Sequence, residues 1–273
     1  MEHLSKKNLF ANIREYWQKI RSLHIPTYAG YASYFIILSL FPTLVLILGI
    51  LRSTPLTLED LMYLLEGFLP PDLQGLAWEL IETVYARTTR TVLSLSALTA
   101  VWSAGKGIYG LMKGLNAIYG ATEHRGWLRT RLLCAVYLAF FLLVLVLTLV
   151  LHVFGNTLAE FLSRCGGEYA WLGRNLMGLR YFLLVAVQTL LFTAVFMFLP
   201  DRKNRFGESF PGALFASFGW MAVSGLFGVY VEHFSGYAHI YGPVYSIALS
   251  MLWLYACVSI LFFGGILNRY WME

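Results

Sequence analysis

Six long apolar runs dominate this sequence of 273 residues and constrain its fold more than any other feature. They lie at about residues 28–51, 91–111, 133–154, 181–199, 211–231 and 243–267. Each run is long enough to cross the roughly 30 Å hydrocarbon core of a bilayer. Because backbone N–H and C=O groups find no water there, each run must be helical. The runs are continuously apolar and do not alternate with polar residues, which excludes a β-barrel.

The scarcity of charge agrees with lipid as the solvent for much of the surface. Hydrophobic residues make up 58% of the chain and charged residues only 13%, about half the charged fraction of a typical soluble domain. The sequence therefore predicts an all-α polytopic membrane protein with six transmembrane helices. We expect a transmembrane domain over residues 27–268, preceded by a cytoplasmic segment over residues 1–26. The second run continues as a helix to Tyr119.

The distribution of Lys and Arg predicts the orientation. The segment before the first run, the second-to-third connection, the fourth-to-fifth connection and the tail together hold twelve basic residues, against six on the opposite side. Cytoplasmic connections carry the excess of Lys and Arg in membrane proteins. Both chain ends are therefore predicted to be cytoplasmic, which requires an even number of spans.

Two extramembrane segments have amphipathic patterns of their own. The N-terminal segment places apolar residues at helical spacing between basic ones, which predicts a helix on an anionic inner leaflet or packed under the bundle. The external connection over residues 52–90 contains two apolar stripes separated by Pro70 and Pro71. We expect two short helices there, with acidic outer faces in solvent.

The second run carries the residues most indicative of a function. A helix-packing face is predicted from small residues spaced four, three and four apart, which let another helix approach closely: Ser103, Gly107, Gly110 and Gly114. The neighbouring face carries a candidate polar intramembrane site formed by Lys106, Tyr109 and Asn116. A Lys within a span usually faces a protein interior or an aqueous cavity. The alternative is that Lys106 extends to the cytoplasm as a snorkelling side chain.

Other sequence features carry weaker predictions. Pro42 lies in the middle of the first run and predicts a helix kink, as found in broken transporter helices and in many other membrane helices. The three cysteines have no metal-ligand spacing, and hydrolytic or nucleotide-binding signatures are absent from the sequence. We therefore predict no metal, no cofactor, no catalytic residues and no nucleic-acid partner.

A set of short motifs, in order along the chain, resembles the YihY/BrkB family of bacterial inner-membrane proteins, once labelled ribonuclease BN. The motifs are Ser39-Leu-Phe-Pro42, Trp102-Ser-Ala-Gly-Lys106, Leu115-Asn-Ala-Ile-Tyr119, Pro211-Gly-Ala-Leu-Phe215, Tyr237 with Tyr241-Gly242, Leu252-Trp253-Leu-Tyr255, and Gly264 with Asn268. The resemblance implies a six-span protein of the bacterial cytoplasmic membrane. The resemblance identifies no catalytic residue, and the ribonuclease label is regarded as a misassignment.

Three functions follow as alternatives from these observations. The first is transport or lipid handling in envelope maintenance, with the bilayer and its anionic lipids as partners. The second is a non-catalytic structural component that assembles as a homo-oligomer or with envelope proteins. A membrane-bound ribonuclease is the third, and no residue pattern supports it. We therefore expect a protein that is not an enzyme.

Overall fold

The computed structural model describes residues 21–51, 78, 82, 89–126, 128–137, 182, 185–233 and 243–272, and within these residues it contains no β-strand. The all-α prediction is thereby confirmed. The helices are α1 (Ile25–Leu51), α2 (Arg90–Tyr119), α3 (residues 128–137), α4 (Val185–Phe198), α5 (Phe206–His233) and α6 (Pro243–Met272). The 1–20 segment, most of the external connection, most of the third run, and Tyr241 with Gly242 lie outside the described residues.

Three of the helices are long and apolar enough to cross a membrane. The qualifying segments are Ile25–Leu46 in α1, Phe206–Val231 in α5 and Ile247–Trp271 in α6, while α4 is a shorter apolar helix. Among the described helices, α2 is as long as any, with 30 residues. It is not among the qualifying segments, because glycines, serines and lysines dilute its apolar residues. The chain is a polytopic helical membrane protein, and the total of six spans remains a prediction.

The start of α5 differs from the sequence prediction. The fifth apolar run was predicted to begin at about residue 211, but α5 begins at Phe206 and Pro211 lies inside it. The Arg205 backbone N–H donates to Glu208 Oε2 at 2.9 Å, which is the backbone half of a capping box. Glu208 also lies in the first turn, where a carboxylate interacts favourably with the helix dipole. Pro243, by contrast, does begin α6.

The chain divides into two compact units, of which the smaller comprises residues 35–106. In it, α1 continues through Pro42, whose ring removes one backbone donor from the helix. Two hydroxyls next to Pro42 bond backbone carbonyls: Ser39 donates to Ile36 and Thr43 donates to Ser39, both at 2.6 Å. The rings of Phe35 and Trp102 pack edge to face with centroids 6.1 Å apart.

The larger unit comprises residues 1–34 and 107–273. Here α4, α5 and α6 share an aromatic contact in which the Trp220 ring lies 5.6 Å from Phe192 and 5.8 Å from Trp253. The Trp253 indole N–H donates to Ser224 Oγ at 3.2 Å. The backbones of α5 and α6 are in contact where the two helices cross. The approach is so close that a Cβ atom added to Gly212 would overlap the Gly264 carbonyl oxygen.

Candidate intramembrane site

Lys106 lies on α2 beside two aromatic rings. Its ammonium nitrogen is 4.1 Å from the centroid of the Trp102 ring and 4.9 Å from that of Phe35. Both distances are within the range of a cation–π interaction. The side chain is partly buried. Within the described part of the chain, none of the ion pairs involves Lys106.

The position of Lys106 along the helix bears on the two sequence alternatives. Since α2 runs from Arg90 to Tyr119, Lys106 is about 24 Å from one end and about 20 Å from the other at 1.5 Å per residue. Lys106 therefore lies near the middle of α2, and the choice between an intramembrane ammonium group and a snorkelling one stays a prediction.

Tyr109 and Lys113 lie further along the same helix, in the larger unit. The Lys113 ammonium is 5.5 Å from the centroid of the Tyr109 ring. Between residues 107 and 119, every side chain of α2 is buried except those of Tyr109, Lys113 and Ala117, which are partly exposed. Because these three residues are four apart, they form one face of the helix.

The small residues of α2 lie on buried parts of the helix. Ser103 is fully buried and donates to the Thr99 carbonyl at 2.6 Å, and Gly107 is buried as well. A Cβ on Gly110 would lie 2.7 Å from the Tyr31 ring. A Cβ on Gly114 would overlap the Phe262 ring. Gly110 and Gly114 therefore allow close contacts with α1 and α6.

Asn116 belongs to a hydrogen-bonded cluster at the end of α2 that we call the polar junction, comprising residues 116–125, 199–205 and 268–269. The Asn116 amide donates to Glu123 Oε2 at 2.8 Å, and its oxygen accepts from the Asp201 backbone N–H at 2.8 Å. The nitrogen and the oxygen of this buried side-chain amide are therefore both hydrogen-bonded to protein groups. Lys106 and Asn116 have separate sets of partners.

Arg125 holds the two loops of the polar junction together. Its guanidinium donates to the carbonyls of Leu199 and Pro200 at 3.2 and 2.7 Å, which follow directly after the C-terminus of α4. The same side chain pairs with Asp201 at 3.1 Å, and its exposed fraction is only 12%. A cation at a helix C-terminus satisfies carbonyls that lack intrahelical donors and interacts favourably with the helix dipole.

Asp201 accepts hydrogen bonds from the opposite loop. The His124 backbone N–H donates to its carboxylate at 2.8 Å. This hydrogen bond is the main reason that the pKa of Asp201 lies below its ordinary value, and the positive charge of Arg125 lowers the pKa further, against the opposing effect of burial. Asp201 is therefore a stable carboxylate at neutral pH.

The C-terminal end of α6 completes the polar junction. Asn268 is fully buried, accepts from the Gly212 N–H at 2.6 Å and donates to the Ser209 carbonyl at 3.0 Å. Arg269 donates to the Ile118 carbonyl in the last turn of α2. That turn closes through Gly120, which has a φ of +65°, a conformation that a glycine adopts without steric cost.

Sequence reasoning named Asn116 and Asn268 but missed their partners. Glu123, Arg125 and Asp201 lie in short connections whose basic residues were used only to predict orientation. The acidic residues in these otherwise basic connections were the one sequence feature that could have indicated a local hydrogen-bond network. The hydrogen bond from the Asp201 backbone N–H to Asn116 joins positions 85 residues apart in the chain, which no spacing rule connects. Gly212 was recognised as part of a motif, without its contact to Gly264.

Comparison with known proteins gives the family. Residues 16–273 match the family described as virulence factor BrkB. This chain is a member of that family. The match confirms the resemblance drawn from the ordered motifs, and it covers every described element of the structure.

Individual relatives of this BrkB chain come from bacteria. The chain is 28% identical over 236 residues to the putative ribonuclease-like protein YfkH of Bacillus subtilis, covering 86% of each chain. It is 26% identical over 261 residues to a UPF0761 membrane protein of Aeromonas salmonicida, covering 91% of this chain and 84% of the relative. No solved structure matches the chain.

Family membership and the apolar helices together place this BrkB protein in the bacterial cytoplasmic membrane as a multi-pass protein. Its apolar helices imply contact with the lipid bilayer, and large side chains on α5 and α6 are exposed. The family's activity is not established, so the chemistry of the candidate site carries the functional argument.

Proposed function

We propose that this protein moves or handles anionic lipids or solutes in the cytoplasmic membrane, with Lys106 as the group that attracts the anion. The observation that carries the proposal is the ammonium group of Lys106, about 20 Å from the nearer end of α2 and cradled by the rings of Trp102 and Phe35. Ionisable residues within a span are expensive to insert and typically mark substrate or ion pathways.

The energetics favour an anionic ligand. A lysine at the centre of a span costs about 3 kcal/mol on insertion scales. At roughly 1 kcal/mol for each cation–π contact, the two rings together offset about 2 kcal/mol and leave part of the cost uncompensated. A phosphate or carboxylate next to Lys106 would remove the remainder, which makes the position selective for anions.

Reconstitution in liposomes tests the proposal directly. The purified protein is placed in phosphatidylcholine vesicles that contain fluorescent phosphatidylglycerol or fluorescent phosphatidylcholine, and transfer between leaflets is followed by quenching from outside. A parallel arm follows the release of small anionic solutes. We expect faster transfer of an anionic species by the wild type and a loss of about ten-fold or more in Lys106→Met.

Two controls separate charge from folding. Lys106→Arg keeps the positive charge and is expected to keep most of the transfer, whereas Lys203→Met removes a charge from an exposed loop position and is expected to change nothing. Equal transfer by Lys106→Met and wild type would contradict the proposal. Failure of the wild type to move any anionic lipid or solute would contradict it as well.

A non-catalytic assembly role is the second candidate, and the exposed apolar face of α5 favours it. Large side chains on this helix, such as those of Phe218 and Leu226, are more than half exposed. Chemical crosslinking in membranes followed by mass spectrometry distinguishes the roles. A stable protein partner along α5 supports assembly, and crosslinks to lipid alone support the first proposal.

A ribonuclease role has the least support. The name of the Bacillus relative contains the words ribonuclease-like, and no residue pattern in this sequence favours that chemistry. Purified protein, freed of soluble nucleases, is expected to leave RNA intact. Cleavage that follows the protein through every purification step would overturn this expectation.

A further inference from the structure

Lys106 lies at one end of an exposed apolar stripe on α2. Leu95, Leu98, Trp102 and Lys106 are spaced three, four and four residues apart, so they lie on one face of the helix. The exposed fractions of Leu95, Leu98 and Trp102 are 64%, 69% and 46%. On a helix predicted to span a membrane, exposed apolar side chains of this size are expected to contact acyl chains.

The stripe lies on the outside of a packed pair of helices. The rings of Phe35 and Trp102 join α1 to α2, with centroids 6.1 Å apart. Further along the pair, a Cβ atom added to Gly49 would overlap the Leu93 side chain, so the two helices are in contact there as well. Leu93 thus contacts α1, whereas most of Leu95 and Leu98 stays exposed.

The positive charge of Lys106 has no acidic partner in the described part of the chain. Neither α1 nor α2 contains an Asp or a Glu. Among the described residues, neither an ion pair nor a hydrogen bond engages the ammonium group, which lies over the rings of Trp102 and Phe35. Its three N–H groups can therefore donate to an anion that lies beside the stripe.

We infer that the anion attracted by Lys106 is the headgroup phosphate of an anionic phospholipid, whose acyl chain lies along Trp102, Leu98 and Leu95. Lys106 follows Leu95 by 11 residues, which is about 16 Å along the helix axis. This length is about half of the roughly 30 Å hydrocarbon core and matches the acyl region of one leaflet. The inference rests on the proposed function and narrows its ligand to a lipid.

The direction of the stripe indicates the leaflet. From Lys106 it runs towards Arg90 at the start of α2, which is the predicted external end. An acyl chain along the stripe therefore points away from the cytoplasm, as in a lipid of the cytoplasmic leaflet. A soluble anion gains nothing from an apolar stripe, and entry from hydrocarbon costs it its hydration.

Photocrosslinking of lipid tests the inference without measuring transfer between leaflets. The full-length protein is reconstituted in phosphatidylcholine vesicles that contain phosphatidylglycerol or phosphatidylcholine with a diazirine in its acyl chain. Crosslinked peptides are quantified by mass spectrometry. The ratio of phosphatidylglycerol to phosphatidylcholine crosslinks is then determined separately for each segment of the chain.

Residues 214–231 of α5 serve as an internal reference. This segment also has large exposed apolar side chains, and it contains no Lys or Arg. A cation near a membrane surface favours an anionic lipid by about five-fold, equivalent to about 1 kcal/mol. We therefore expect the crosslink ratio over residues 91–106 to exceed that over residues 214–231 by about five-fold in the wild type.

Variants at Lys106 separate the effect of charge from that of the apolar surface. Lys106→Met is expected to lower the ratio over residues 91–106 to that of the reference segment, and Lys106→Arg is expected to keep it. Lys203→Met removes an exposed charge elsewhere and is expected to leave the ratio unchanged. If Lys106→Met does not fold, the comparison of the two segments in the wild type still decides the outcome.

The position of the diazirine tests the placement of the acyl chain. A diazirine near the headgroup of phosphatidylglycerol is expected to label residues 102–106, whereas one at the end of the acyl chain is expected to label residues 91–98. Identical labelling by the two probes would show that the chain does not follow the stripe, and would overturn the inference.

Three further results would overturn the inference: equal ratios in the two segments of the wild type, an unchanged ratio in Lys106→Met, and suppression of the preference by excess glycerol phosphate. The last would identify a soluble anion as the ligand. A lipid preference combined with unchanged transfer in Lys106→Met would contradict only the proposed function. Transfer of soluble anions that requires Lys106, without a lipid preference, would contradict only this inference.

Discussion

The second half of α2 and the whole of α5, both in the larger unit, show how differently a membrane helix can be surrounded. From Gly107 to Tyr119, α2 has all but three side chains buried. Within an apolar stretch of 18 residues, only 11% of α5 is buried, compared with 33% of the corresponding stretch of α6. Residues 107–119 of α2 are enclosed by protein, whereas α5 leaves most of its apolar side chains exposed.

The difference teaches what hydropathy measures in this protein. α5 must be apolar nearly all round because lipid surrounds it. α2 contains glycines, Asn116 and two lysines, since neighbouring helices and loops accept such groups. Hydropathy therefore reports contact with lipid and does not report importance to the fold. The least apolar of the long described helices carries the residues on which the fold and the proposed site depend.

The largest expected effect lies where α5 has its closest protein contact. In Gly264→Leu, the new side chain must force α6 away from the Gly212 backbone. Overpacking of this kind costs typically up to about 3 kcal/mol, and more where backbone is displaced. We expect little folded protein in detergent, measured by size-exclusion chromatography and thermal unfolding.

Gly225→Leu is the control for that substitution, because nothing lies within 4 Å of a Cβ at Gly225. It is expected to fold and unfold like the wild type. If the two variants were equally stable, α5 would not depend on its crossing with α6.

A pair of identical truncations compares the two helices directly. Leu115 on α2 is fully buried, whereas Leu226 on α5 is 73% exposed. Leu115→Ala leaves a cavity and is expected to cost about 3 kcal/mol. Leu226→Ala shortens an exposed apolar side chain without leaving a cavity in the protein, and it is expected to cost less than about 0.5 kcal/mol. Reversible unfolding in mixed micelles measures both, and equal losses would remove the distinction between the helices.

The smallest expected effect concerns the polar junction and depends on pH. Because the folded-state pKa of Asp201 lies below its ordinary value, its contribution to stability is present above about pH 4 and is lost as the pH falls through the folded pKa. Unfolding midpoints of wild type and Asp201→Asn, measured between neutral and acidic pH, are expected to converge on acidification. A constant difference would contradict this assignment.

Much of the architecture followed from the sequence because membrane burial leaves a strong one-dimensional signal. The helix class, the start of α6 at Pro243 and the position of Pro42 inside α1 could be predicted from apolar runs and proline chemistry. The early start of α5 was missed because the apolar run begins at Pro211. The capping residue Glu208 precedes that run and is a polar signal.

The partners in the candidate site could not be predicted for a physical reason. Lys106 was identifiable because a cation in an apolar run is costly, but its second ring, Phe35, comes from a distant part of the sequence. Asn116 was grouped with Lys106 by helix periodicity, and the structure gives it Glu123 and Asp201 as partners. Hydrogen bonds between loops depend on tertiary packing, which periodicity within one helix does not report.

Labelling of the native protein from within the lipid phase is the most direct test of the comparison between the enclosed second half of α2 and the lipid-facing α5. A lipid-soluble diazirine is photolysed in membranes that contain the wild-type chain, and the modified peptides are mapped by mass spectrometry. We predict heavy labelling across residues 214–231 and little across residues 107–119, apart from Tyr109, Lys113 and Ala117. Comparable labelling of the two segments, or stronger labelling of 107–119, would contradict the account.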